Sequence, residues 1–177
     1  MRGINIITAA LFFCGVCACK PGDVGQTGSL PNIYPDYVGV TIPCNIAPLR
    51  FTISPDCTYQ YAVFRAQGCE VGVGGTKEIA ISRKKWRKLM TAAAGSEIDV
   101  TLYSKTDDTW REYAPFKINV SSDKIDPYVV YRLIEPGYEI WSEMGIYQRN
   151  LENYKESPIL SNNQTDYGCM NCHSFCT

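Results

Sequence analysis

Ile98-Asp99-Val100-Thr101-Leu102-Tyr103 alternates apolar and polar side chains, and its reading decides the fold class. A period of two is the signature of a strand with one face on a core and one toward water. Working outward, Val38-Gly39-Val40-Thr41-Ile42, Leu49-Arg50-Phe51-Thr52-Ile53, Tyr59-Gln60-Tyr61-Ala62-Val63-Phe64-Arg65, Glu78-Ile79-Ala80-Ile81 and Phe116-Lys117-Ile118-Asn119-Val120 alternate or cluster β-branched and aromatic residues in the same manner. Turn-forming residues at Ser54-Pro55-Asp56, Gly72-Val73-Gly74-Gly75 and Thr106-Asp107-Asp108 separate several of these runs. The expectation is a mainly β chain, an antiparallel, immunoglobulin-like β-sandwich over residues 36–122.

One helix interrupts the strand pattern. Ser82 is placed to cap Arg83-Lys84-Lys85-Trp86-Arg87-Lys88-Leu89-Met90-Thr91-Ala92-Ala93-Ala94, and Gly95 stops it. Trp86, Leu89, Met90 and Ala93 fall on one face at helical spacing. The basic residues take the opposite face, either as a patch for anionic lipid or ligand or as a solvated surface behind a core stripe.

Residues 123–177 have another texture, dense in aromatics, Pro and Gly, and read as helical or loop structure. Glu139 to Asn150 is expected to form a short helix carrying Trp141, Met144 and Tyr147-Gln148. The segment shows no catalytic constellation. The chain has a single histidine, so no serine or cysteine there has a histidine base near it in sequence. Gly72-Val73-Gly74-Gly75 lacks the following glycine and helix of a dinucleotide site, and no P-loop occurs. The chain is therefore not expected to be an enzyme.

At the start, Met1 and Arg2 precede a mostly apolar run from Ile4 to Val16, too short to span a bilayer. Val16-Cys17-Ala18-Cys19 resembles a lipobox, with an aliphatic residue three before the cut, a small residue just before it, and the cysteine that takes lipid. Residues 1–18 then form a lipoprotein signal peptide and Cys19 becomes the lipidated N-terminus. Residues 19–35, rich in Gly and polar side chains, read as a flexible tether. Lys20 is not the aspartate of inner-membrane retention, so the expected location is the outer membrane, facing the periplasm. About 160 residues remain, enough for one domain with a real core. A net charge of −1 gives no field toward nucleic acid, and no second apolar stretch is long enough to cross a membrane.

Chemistry is concentrated in Cys169-Met170-Asn171-Cys172-His173, a C-x-x-C-H sequence of the kind that attaches c-type haem. Two residues between the cysteines let both sulfurs reach the two vinyl groups of one porphyrin, and His173 becomes the proximal iron ligand. Such attachment is made outside the cytoplasm, in agreement with the export signal. A distal ligand from this chain would be Met144 or Met90, because no second histidine exists. Alternatives are a zinc site of Cys169, Cys172, His173 and Cys176, cramped by the adjacency of Cys172 and His173, or a structural disulfide or redox dithiol. Spacing does not fix pairing among Cys44, Cys57, Cys69 and Cys176; Cys44 to Cys57 and Cys57 to Cys69 are two options.

Residues 37–51, residues 125–138, Gly145-Ile146-Tyr147-Gln148-Arg149 and Cys169-Met170-Asn171-Cys172-His173-Ser174-Phe175 together resemble the Bacteroidota envelope lipoproteins called TolB-like, or labelled cytochrome c biosynthesis proteins. Cys44 stands where proline is expected in that family. The resemblance implies that members continue past C-x-x-C-H into a WD40-like β-propeller, and that this chain, ending at Thr177, corresponds to their N-terminal part. It implies haem-based electron transfer or sensing with an unidentified redox partner. The competing class is an envelope binding or scaffold module in which the cysteine motif is structural.

Overall fold

A computed structural model of the chain describes residues 24–54, 57–134 and 144–168. The expected sandwich is there, mainly β with one short helix. Its centre is β8 (Ser96–Thr106), the strand predicted from residues 98–103 and longer at both ends. Along one side of β8 runs β5 (Tyr59–Ala66), which carries β6 (Cys69–Gly75) on its outer edge. Along the other side lie β9 (Thr109–Glu112) and β10 (Phe116–Ser121) in succession. Tyr103 faces Glu112 while Val100 faces Phe116, so three steps on β8 match four on its neighbours. The extra residue falls in the break between β9 and β10, residues 113–115. Two short parallel strands complete this sheet, β1 (Val24–Gln26) on β9 and β3 (Thr41–Pro43) on β10.

The opposite layer consists of β2 (Asn32–Tyr34), β4 (Arg50–Ser54) and β7 (Ile79–Ala80), followed by α1 (Arg83–Ala93). Phe51, Ile53, Ile79 and Leu89 meet Phe64, Ile98, Val100, Leu102 and Ile118 between the layers. Trp86, Leu89, Met90 and Ala93 are the buried side chains of the helix, as the spacing predicts. Ser82 occupies the cap position with extended backbone, but its hydroxyl makes no capping bond. One polar side chain crosses the apolar interior: buried Gln60 accepts from the Ile53 N–H at 2.8 Å and donates to Thr52 Oγ1 at 3.0 Å and the Lys77 carbonyl at 2.9 Å. All three of its bonds tie the large sheet to the opposite layer, so its burial leaves no unmet polar group.

Two sequence expectations need correction within the sandwich. Gly72-Val73-Gly74-Gly75 lies inside β6 and makes no turn. A Cβ on Gly75 would stand 2.3 Å from the Glu78 carbonyl oxygen and one on Gly74 2.5 Å from the Tyr59 hydroxyl, so these two glycines serve close approach of their neighbours. The turn that joins β5 to β6 is Gln67-Gly68, with both φ angles positive at 36° and 77°, as a two-residue hairpin requires. Residues 24–34 also depart from the flexible tether expected over 19–35. β1 and β2 fall there, Ile33 is buried opposite Ile53, and the domain extends back at least to Val24.

Beyond the sandwich, β11 (Tyr128–Leu133), β12 (Gly145–Asn150) and β13 (Glu156–Ser161) form a separate antiparallel sheet. The helix expected over 139–150 is therefore a strand from Gly145 onward, while residues 139–143 lie outside the described residues. Tyr147 pairs with Tyr131 and Gln148 with Val130, so side chains assigned to adjoining helical faces point to opposite faces of a sheet. Pairing on both sides supplies β12 with ladder partners that local propensity cannot foresee. Asn45 fastens this sheet to the sandwich, donating to the Ile125 carbonyl at 2.9 Å and accepting from the Ile125 N–H at 3.0 Å. The Ala47 N–H reaches the Leu151 carbonyl at 2.7 Å, and the Tyr154 hydroxyl donates to the Pro48 carbonyl at 3.2 Å.

Candidate functional site

Cys169, Cys172, His173 and Cys176 lie outside the described residues, as do Cys19 and the apolar run before it. The chain leading to the motif is described as far as Gly168, and it is tightly held. After β13 a single 3-10 turn spans Asn162–Gln164, in which the Ser161 N–H donates to Gln164 Oε1 at 3.0 Å. The Asn162 carbonyl accepts from the N–H groups of Thr165 at 3.0 Å and Tyr167 at 2.8 Å, and the Gly168 N–H reaches the Thr165 carbonyl at 2.8 Å. Such bonds satisfy backbone groups that would otherwise need water, and they fix the direction of the chain just before Cys169.

The same turn is bonded to one of the two candidate methionines. The Asn162 N–H donates to the Met144 carbonyl at 3.2 Å, and the Met144 side chain is buried, 2% exposed, with Ile146 and Leu160. Met90 is also buried but belongs to the sandwich core, beside Trp86 and Leu89 on α1. It borders a cleft of about 370 Å³ between α1, Cys44, Asn45 and Glu152. The two thioethers thus lie in different hydrophobic clusters, and of the two residues Met144, directly before β12, is the one hydrogen-bonded to the turn that precedes the motif.

Around Met144 the sheet carries unusual surface chemistry. Tyr128, Val130 and Gln148 lie on one face; Val129, Tyr131 and Tyr147 lie on the other. Tyr131 and Tyr147 stack with centroids 6.4 Å apart, and the Tyr131 hydroxyl bonds the Glu156 carboxylate. That bond raises the Tyr131 phenol above its ordinary pKa, helped by desolvation. Arg149 sits over the Tyr154 ring at 5.4 Å. Tyr128, Val129, Val130 and Ile159 are exposed among the described residues.

Cys44 and Cys69 carry free thiols, so neither Cys44 to Cys57 nor Cys57 to Cys69 is bridged. Cys44 Sγ lies 3.4 Å from the Ser122 carbonyl oxygen, and Cys69 is buried at the base of the β5–β6 turn. Among the described residues no group of three or more His, Cys, Asp or Glu side chains converges as a metal site, and no helix is long and apolar enough to cross a membrane.

No protein-family model matches the chain, and no curated protein matches it. Among solved structures it is similar to one described as "Structural insight into host cell surface retention of a 1.5-MDa bacterial ice-binding adhesin", at 11% identity and a TM-score of 0.35 over 78% of this chain and 52% of that one. The chain spans about half the length of that structure.

Proposed function

We propose that the protein is an exported, lipid-anchored envelope protein that carries covalently attached haem for electron transfer or haem-based sensing. The observation that carries this reading is the sequence Cys169-Met170-Asn171-Cys172-His173, in which the chain's single histidine directly follows the cysteine pair. Donor chemistry fits the group, with two thiols and an imidazole at the attachment spacing. Each thiol would add across a porphyrin vinyl group, forming a C–S bond and giving its hydrogen to the terminal carbon, with no net oxidation. When bound, the iron supplies one-electron chemistry. His173 is the proposed proximal ligand. Met144 is preferred over Met90 as the thioether that would help hold the iron, because the turn before the motif is bonded to the Met144 backbone while Met90 belongs to the sandwich core. Cys19 is the proposed lipid site, which would hold the protein at a membrane surface facing the periplasm.

A second reading, an envelope binding or scaffold module with a structural cysteine motif, draws support from Tyr128 and Val130, exposed side chains that share one face of β11. Expression in a host that matures c-type cytochromes separates the two. A haem mass increment and a Soret band that survives denaturation support attachment; colourless protein with Cys169 and Cys172 joined as a disulfide sinks it. In coloured protein, Met144→Ala converts a six-coordinate low-spin spectrum to high spin, whereas Met90→Ala leaves the spectrum unchanged.

A further inference from the structure

Helix α1 and the β5–β6 turn enclose an open groove of about 840 Å³, floored by Cys69 and Ala92 and edged by Arg83, Lys84, Arg87 and Lys88. All four cations are exposed, and among the described residues none of them forms an ion pair. Glu70 pairs with Arg65 and Glu97 with Lys117, while Glu152 lines the neighbouring cleft beside Arg83 and Arg87 without an ion pair to either. Between Glu78 and Glu97 the sequence has no acidic residue and five basic ones, although the chain as a whole is balanced at −1. Charge is therefore segregated. Lys85, the fifth cation, donates to the Gly72 carbonyl at 3.2 Å.

The arrangement works against the helix that bears it. Arg83, Lys84 and Lys85 occupy the first turn, where the helix dipole repels cations, and no acidic residue offsets them. Stability alone does not account for unpaired like charges at this end. A surface that supplies anionic charge does, and the methylene stems of Lys and Arg over an apolar floor suit the boundary between headgroups and acyl chains.

We infer that the groove and basic face of α1 dock on an anionic phospholipid surface, so that the sandwich lies against the membrane. The choice of a bilayer rests on the proposed lipid anchor at Cys19: the few residues between it and Val24 span no more than roughly 20 Å when extended, which keeps the domain at the bilayer surface. The contact orients the domain and needs no insertion of the helix.

The test uses the chain from Lys20 exported behind an ordinary cleavable signal, which keeps every described element and the cysteine motif but carries no lipid. It is mixed with vesicles of phosphatidylcholine alone or with about one third phosphatidylglycerol. The expected result is sedimentation with the anionic vesicles only, weakened by salt, and reduced about fivefold for each cation neutralised in Lys84→Gln, Arg87→Gln and Lys88→Gln. Far-UV circular dichroism checks that the exposed glutamines leave the helix intact, and Lys155→Gln, an exposed cation between β12 and β13 that does not line the groove, serves as a charge control with the smaller effect. Equal binding to both vesicles, no binding to either, or equal loss from Lys155→Gln overturns the inference. Labelled palmitate uptake by the intact chain tests the anchor separately: no label with vesicle binding preserved removes the anchor and leaves the docking face standing.

Discussion

The sandwich and the sheet that follows it solve the same packing problem with very different resources. Between its layers the sandwich buries Phe64, Ile98, Val100, Leu102 and Ile118 completely, and Gln60 links the two layers across that core. Among the described residues the β11–β13 sheet gathers Met144 and Ile146, with Leu160 partly buried against them, and leaves valines and a tyrosine of β11 exposed. At roughly 25 cal/mol per Å² of apolar surface removed from water, the first can stand on its own burial. The second depends on its attachment through Asn45, Ala47 and Tyr154. Proteins commonly assign such low-stability elements to binding or ligand response.

The largest effect should come from the sandwich core. Phe64→Ala is expected to cost about 3–5 kcal/mol in urea unfolding followed by far-UV circular dichroism. A loss below about 1 kcal/mol would show that this core is less tightly packed than its burial implies. Met144→Ala should cost about 2 kcal/mol, the low end for this truncation, because a small cluster relaxes more easily. Its signature is faster amide exchange across β12 with β8 unchanged; equal acceleration in both would merge the two regions into one cooperative unit. Asn45→Ala removes a reciprocal pair of bonds to Ile125 and should loosen the sheet by about 1–2 kcal/mol, again sparing β8.

The smallest effect concerns Tyr103, which is 1% exposed on the side of β8 away from the main core. Burial, then the Glu112 carboxylate, raises its phenol above the ordinary 10.0. The unfolded chain therefore releases that proton first, so the stabilisation is complete below pH 10 and declines as pH rises toward and through the higher folded-state value. Tyr103→Phe should flatten that alkaline decline, which denaturant midpoints between pH 9 and pH 11 would reveal, roughly one unit either side of the reference value. An unchanged slope would remove Tyr103 as its source.

Legibility in the sequence followed the same divide. The strands centred on residues 50–53, 59–65, 98–103 and 116–120 and the helix from Arg83 were all readable, because an apolar period carries its own evidence of burial. β6 was hidden by glycines, of which Gly74 and Gly75 serve close approach to Tyr59 and Glu78, contacts absent from any local pattern. Gln60 falls within a legible strand, yet nothing in its neighbours announces that an amide in the core meets Ile53, Thr52 and Lys77. β11 to β13 escaped for a further reason: with little buried on either face they carry a weak alternation, and their pairing is decided by one another. Of the candidate site, the donors were visible in the sequence; the separation of Met144 from Met90 needed the tertiary arrangement.

The placement of β1 has a mechanical consequence. Val24, Gly25 and Gln26 run parallel to Trp110, Arg111 and Glu112, and the Thr27 N–H adds a bond to the Glu112 carbonyl at 2.9 Å. A pull on the chain preceding Val24, directed along the strand, loads those bonds together in shear and does not peel them singly. Tension entering from that end would be carried into β9 and on to β8, the longest strand of the molecule, before it reached the loosely held sheet beyond.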